Sequence, residues 1–177
     1  MALLFEIPRI ETERLVLRAW RLEDLDPLAA FTGNVALAKY RLGAIDRNAT
    51  LAFMADMNGD WSLRGYGGLA VARKDDAAGV PIGMTGLYHP ADFDEPELFY
   101  SLFDGYHGRG YATEMAAGAR DWAATARPDL GPLMSMIHPD NAPSRAVSER
   151  IGAALEAEVA WRGMPRLRYR HRRGAAA

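Results

Sequence analysis

The chain has 177 residues, of which 49% are hydrophobic and 25% charged, and its formal net charge is −2. This is ordinary globular usage, so disorder, collagen and coiled coil are excluded, and a single domain over 1–177 is expected. There is no cysteine, which removes a disulfide framework, a thiol nucleophile and a thiolate metal site. The four histidines, His89, His107, His138 and His171, never stand three or four apart, so no helical metal pair exists and no metal is expected. The opening MALLFEIPRI is too short in its apolar stretch to span a bilayer and lacks a basic leader and cleavage site. The expectation is a soluble, cytoplasmic protein with no membrane partner.

Taken in chain order, Thr12 to Arg18 puts Leu15 and Leu17 on one face of a short strand. A helix follows from Arg21, with Leu22, Leu25, Leu28, Ala29 and Phe31 at helical spacing, and Gly33-Asn34 ends it. Asn48-Ala49-Thr50 reads as a cap for a second helix carrying Leu51, Met54, Ala55 and Trp61. Leu69 to Arg73 and Ile82 to Tyr88 form a hairpin across KDDAAGVP, and Glu97 to Leu102 is the next strand. DGYHGRGYATEM turns directly into a helix, Tyr111 to Ala126, followed by a strand from Leu133 to His138. Pro139-Asp140-Asn141-Ala142-Pro143 starts a helix through Ile151, ended by Gly152. Two final strands, Leu155 to Arg162 and Arg166 to His171, precede a low-complexity GAAA tail. The pattern is α+β: a mixed, mostly antiparallel twisted sheet flanked by helices.

Charge is unevenly placed. Residues 1–160 sum to −8, while residues 161–177 hold six arginines and no acid. The alternation Arg166-Leu167-Arg168-Tyr169-Arg170 reads as a strand with one buried face and a solvated basic face. The acidity of the rest argues against a nucleic-acid partner.

His107-Gly108-Arg109-Gly110-Tyr111-Ala112-Thr113 carries the strongest chemical signal. Small residues before a helix let unpaired N–H groups approach a ligand, and the helix dipole adds to their attraction for phosphate. No lysine stands where an ATP-binding loop needs it, and Thr113 replaces the third glycine of a dinucleotide fingerprint. Alone, such a turn is either a phosphate cradle or a tight connection.

Five segments in order resemble one family. TERLVLRAWRLEDLDPL, ELFYSL, HGRGYATE, PDNAPSRAVSERIGA and WRGMPRLRYR are together similar to the GNAT acyltransferases, most of all their RimJ/RimL-like branch, over residues 10–171. The resemblance implies the GNAT fold and acetyl-CoA as co-substrate. The main-chain N–H groups of Gly108, Arg109, Gly110, Tyr111 and Ala112 would then hold the pyrophosphate, with Thr113 adding a hydroxyl. His107 stands where the family has Arg or Gln. The main chain of Ser101, Leu102 and Phe103 would pair with the pantetheine arm, Asn141 would contact it near the thiol, and Arg145 and Arg150 would meet the nucleotide end. Ala153 replaces the usual phenylalanine after Gly152.

The implied reaction moves an acetyl group to a primary amine: a protein N-terminus, an amino acid or a small amine. Positioning in a ternary complex supplies much of the acceleration. Glu97 is the candidate base, its alternative being a surface carboxylate on an ordinary strand. Ser144 is the candidate proton donor to the CoA sulfur, its alternative being a first-turn serine bonded to backbone. Tyr100 and Tyr106 are further donors or packed aromatics. Trp61 and Tyr66 stand where an acceptor pocket would lie, the methionines 54, 57, 134 and 136 fit core packing, and His138 faces either the groove or the core. Glu97, Asp92 and Asp94 would favour a cationic acceptor. A non-catalytic acyl-CoA sensing module is the competing reading, and a homodimer is left open.

Overall fold

The computed structural model describes residues 6–41 and 43–172; MALLF and the GAAA tail lie outside the described residues. The strands are β1 (Ile10–Glu11), β2 (Leu15–Arg18), β3 (Gly68–Arg73), β4 (Pro81–Tyr88), β5 (Glu97–Leu102), β6 (Met134–Ile137), β7 (Ala153–Trp161) and β8 (Met164–His171). The helices are α1 (Leu25–Thr32), α2 (Val35–Ala38), α3 (Arg47–Arg64), α4 (Tyr111–Ala126) and α5 (Ala142–Arg150). One sheet runs β1-β2-β3-β4-β5-β6-β8-β7, antiparallel throughout except where β5 meets β6 in parallel. Among the described residues no helix is long and apolar enough to cross a membrane.

Both faces of the central strands are covered, which explains their nearly unbroken apolar runs. On one face Leu69, Val71, Ile82, Leu98 and Leu102 pack with Tyr111, Met115 and Ala119 of α4. On the other, Ala70, Met84 and Phe103 pack with Leu28 and Phe31 of α1 and Met54 and Met57 of α3. The period of two along each strand sends alternate residues to the two layers, except where the β3–β4 register shifts at Val71/Ala72 and Ile82 and Met84 reach opposite layers.

Some expected boundaries shift for identifiable reasons. The cap of α3 is Asp46, whose side chain accepts from Ala49 N–H at 2.8 Å. Thr50 instead turns inward, its hydroxyl 2.6 Å from that of Thr32. Residues 22–24 form a 3-10 turn before α1, and the short α2 lies in a stretch with no periodic signal. Trp61 is core, not pocket: its indole donates to Gly68 O at 3.1 Å and meets the Trp122 ring edge-on at 5.0 Å. Tyr66 is likewise buried, with its hydroxyl 2.7 Å from His89 Nδ1. Where the family has phenylalanine, Ala153 packs with Ile137, Leu167 and the buried ring of Tyr169.

The basic strand is less solvated than its alternation implies. Arg170 forks between Glu95 and Glu156, and Arg166 is buried at 4% exposure. Beside it on β8, His171 is fully buried, with Nε2 2.8 Å from Ser135 Oγ. Ser135 donates its proton to Leu98 O at 2.6 Å, so Nε2–H donates to Ser135 and Nδ1 keeps a bare lone pair without a partner among the described residues. Burial, with the charges of Arg120 and Arg170, lowers this imidazole from 6.5 to about 4. The unfolded chain therefore takes the proton first, so the stability His171 supplies is full above pH 6.5 and lost as pH falls through about 4. In denaturation curves at a series of pH values, His171→Gln is expected to remove an acid-side loss of about 3 kcal/mol. An unchanged pH slope would count against this assignment.

Candidate active site

The glycine turn delivers the geometry its residues promise. Gly108 and Gly110 have φ of 77° and 79°, and Gly110 caps α4 without any side-chain cap, leaving the first N–H groups of the helix outward. A side chain at Gly108 would meet open space, and His107, Gly108, Arg109 and Gly110 are all exposed. The turn is fastened from behind. Arg14 donates to Arg109 O at 3.0 Å and through Nε to Glu114 at 2.7 Å, while Thr12 Oγ donates to Glu114 at 2.6 Å. This Thr12–Arg14–Glu114 clasp was not singled out from the sequence; Arg14 and Glu114 each look like solvated charges there.

Beyond the turn, β5 and β6 part. Their register holds only at Glu97 with Met134, after which the two strands diverge. On its other side β5 is fully laddered: Phe103 N–H donates to Ile82 O at 2.8 Å, and Phe99 O accepts from Thr85 Oγ at 2.8 Å. Main-chain groups alternate sides along a strand, so Phe99, Ser101 and Phe103 turn towards β4. Leu98, whose carbonyl accepts from Ser135, turns towards β6, and Tyr100 and Leu102 share its direction. Of the three expected main-chain contacts only Leu102 faces the gap. Ser101 and Phe103 are corrected to the β4 side, and Tyr100 joins Leu102 in their place.

Two clefts meet at this parting. The first, about 380 Å³, includes Tyr100, Leu102, His107, Ala112, His138, Asn141 and Ser144. The second, about 300 Å³, lies on the α1/α3 face between Phe53, Met57, Met84, Trp161 and Arg166. Tyr40, Arg41, Glu97, Phe99, Ser101 and Met136 border both. Met57 and Met136 thus serve as cleft wall, not only as core. Tyr40 hangs over the junction, donating its hydroxyl to Asp140 O at 3.0 Å and lying 5.3 Å from the His138 ring. His138 therefore faces the groove.

Glu97 sits at the junction. Its Oε1 accepts from Met136 N–H at 2.8 Å, bridging the first step of the strand separation. Burial pushes this carboxyl up to about 7, against the opposing pull of the Met136 amide and the Arg166 charge. An ordinary surface carboxylate does not behave so; a half-buried one desolvated at a cleft junction can exchange a proton near neutrality.

The remaining candidates divide. Asn141 caps α5, its side chain accepting from Ser144 N–H at 3.3 Å, so the cap is the asparagine and not the serine. Ser144 borders the first cleft, three residues further along the same helix. Tyr100 donates to Ser144 O at 2.7 Å and lies 2.8 Å from Ser148 Oγ, and burial raises its phenol well above the usual range. It ties α5 to β5 and is a poor acid. Tyr106 packs between the two core clusters. Thr113 lies in the first turn of α4. Arg150 is exposed at the far end of α5 and borders neither cleft, while Arg145 is held by Tyr169 and Pro139 O.

Comparison with known proteins agrees with this geometry. Residues 14–154 match the acetyltransferase (GNAT) domain model. An acetyltransferase from Agrobacterium tumefaciens is 33% identical, with 97% of this chain and 98% of that one covered and a TM-score of 0.83. Two more distant structures share the fold. The ribosomal-protein-S5-alanine acetyltransferase from Vibrio fischeri is 16% identical (96% and 98% covered, TM-score 0.76). Mycobacterium smegmatis RimJ, in complex with CoA-disulfide, is 17% identical (92% and 86% covered, TM-score 0.71). With an outward-facing glycine turn, a parted sheet and these matches in hand, the chain belongs to the GNAT acetyltransferases and is an acyltransferase.

Proposed function

We propose that the protein transfers an acetyl group from acetyl-CoA to a primary amine directly, in a ternary complex within the cytoplasm. The observation that carries this is Glu97, a carboxyl raised to about 7 at the meeting point of two clefts, one of which leads towards the glycine turn. The residues present fit acetyl-CoA: an uncapped helix start and two left-handed glycines for the pyrophosphate, and unladdered main chain at Tyr100 and Leu102 for an amide-bearing arm. When bound, acetyl-CoA supplies an activated acyl group. His107 lies at the mouth of this groove, and the main chain from Gly108 to Ala112 carries most of the phosphate contact, with the Thr113 hydroxyl beside it.

Glu97 receives the proton of the acceptor ammonium, leaving the amine its lone pair. Its bond to Met136 N–H fixes the carboxyl on the wall shared by both clefts. Ser144 delivers a proton to the departing sulfur, directly or through water. Asn141 orders the first turn of α5 so that Ser144 stays at the groove. The acceptor enters through the second cleft.

Incubating the protein with acetyl-CoA and pooled amines, and following free thiol, tests the reading. Amine-dependent thiol release is expected; binding of acetyl-CoA without release would leave a sensing module. For Ser144, the cap now separates the two roles. Ser144→Ala is expected to slow single turnover by ~10²-fold with an unchanged melting temperature. Asn141→Ala, which removes the cap, is expected to cost about 1 kcal/mol of stability. Intact single-turnover rates in Ser144→Ala would assign the proton to another group.

A further inference from the structure

The second cleft carries two cations, Arg41 and Arg166, that form no salt bridge with a carboxylate among the described residues; only the charge of Glu97 reaches Arg166. Many other arginines sit against acids, among them Arg18 with Asp24, Arg73 with Asp75, Arg127 with Asp129, and Arg170 with Glu95 and Glu156. Arg41 and Arg166 differ. Arg41 donates to Leu37 O and Phe31 O, and its guanidinium lies 4.4 Å over the Phe31 ring. Arg166 donates to Tyr40 O and Pro165 O and approaches Met164 Sδ, all neutral groups. Arg166 is only 4% exposed. Burying a guanidinium without a bound counter-charge is costly, and it lowers both arginines below their ordinary values.

The carboxylates bordering this cleft do not balance them. Asp60 is held by Arg64 at 3.2 Å. Glu97 feels the charge of Arg166 but must gain and lose a proton during transfer, so it leaves Arg166 uncompensated for part of each cycle. Asp92, expected to attract a cationic acceptor, does not border the cleft and is occupied by Arg162 and the Trp161 indole. The cleft is therefore positive beside its base, with apolar walls at Phe53, Met57, Met84 and Trp161. A polyamine would be repelled there, and a peptide N-terminus would offer the guanidinium groups only a neutral carbonyl.

We propose that the acceptor carries its own carboxylate next to its amine: a free α-amino acid with an apolar side chain. The carboxylate docks on Arg166 and Arg41, the amine reaches Glu97, and the side chain lies along the apolar wall. This rests on the transferase reading and names its substrate class. In the transfer the ammonium gives one proton to Glu97, the freed amine nitrogen forms a bond to the acyl carbon, the carbon–sulfur bond breaks, and the second nitrogen proton, lost after attack, replaces the one that Ser144 passes to the departing thiolate.

The test compares L-phenylalanine, L-phenylalaninamide, phenethylamine and a short peptide with a free N-terminus, by thiol release from the intact protein with acetyl-CoA. The amide's amine loses its proton more readily, so intrinsic reactivity favours the amide. A kcat/KM about 10–10²-fold higher for the free amino acid is nevertheless expected, because charge-assisted contacts to the guanidinium groups are lost in the others. Arg166→Gln is expected to bring that ratio close to one, and Arg166→Lys to restore part of it. Equal or faster transfer to the amide, the amine or the peptide would overturn the inference while leaving the transferase reading intact. Thiol release with none of them, from a protein that binds acetyl-CoA in calorimetry, would overturn both. The wild-type comparison decides the matter even where the Arg166 variants fold poorly.

Discussion

Glu97→Gln is expected to lower kcat by about 10²–10⁴-fold while leaving the acetyl-CoA dissociation constant near that of the wild type. The amide keeps an oxygen to accept from Met136 N–H, so the junction keeps its shape and loses only its titratable proton. Wild-type kcat/KM is expected to rise with pH through about 7, the value burial gives this carboxyl, and the variant to lack that limb. Stability supplies an independent readout. Because the folded value lies above the ordinary 4.5, the contribution of Glu97 is full below pH 4.5 and lost as pH rises through about 7. The variant is thus expected to exceed the wild type in stability at pH 8 and to match it near pH 4. A persistent limb near pH 7 in the variant would place the base elsewhere. This trend runs opposite to that of His171, so the wild-type stability profile between pH 4.5 and 6.5 is expected to be flatter than that of either single variant.

Asp24→Asn is expected to cost about 3–5 kcal/mol, the usual penalty for leaving a buried charge without its partner. Arg18 meets both carboxylate oxygens of Asp24 at 2.7 and 2.9 Å, and the two residues are 6% and 3% exposed. Arg18 also donates to Gly79 O, and Asp24 accepts from Arg21 N–H, so the pair joins the end of β2 to the β3–β4 turn and the entry to α1. For a chain of this size the loss corresponds to a melting temperature lower by roughly 6–20 °C. The effect reaches the site as well, because Phe31 of α1 stacks on Phe103 at 4.9 Å and borders the first cleft. A double variant, Arg18→Met with Asp24→Leu, is expected to recover most of the stability, since it removes both charges together. A fall below about 1 kcal/mol in the single variant would mean that water reaches the pair.

What could be read before the structure depended on how local each signal is. ELFYSL is a short apolar and aromatic run bounded by turn residues, and Glu97–Leu102 is the strand observed. HGRGYATE combines glycines with a helix start, and Tyr111–Ala126 is the helix observed. The start of α3 was misplaced because Asp46 and Asn48 are both good caps, and only the inward demand of Thr50 selects the former. The facing of the β5 main chain is a register property set by Ile82 and Thr85 on another strand, so no local pattern distinguishes Ser101 from Leu102. Arg166 belongs to an alternation that places Arg168 and Arg170 beside acids, yet it turns into a cleft roofed by Tyr40, 126 residues earlier. Such a contact has no sequence spacing to announce it.

An open sheet ordinarily ends at two rims, here β1 and β7. The parting of β5 from β6 adds two more in the middle, and unpaired rims invite pairing with another chain. Natural sheets blunt such rims with charge, proline or cover. Here the cover is architectural: Tyr40 reaches across to Asp140, and Tyr100 anchors the first turn of α5 beside the opening. An incoming strand brings side chains on both of its faces and meets these walls first. A slender amide-bearing arm, such as the proposed co-substrate has, would pass between them. The cover that shapes the proposed ligand gap thus also shields its two inner rims from an added strand.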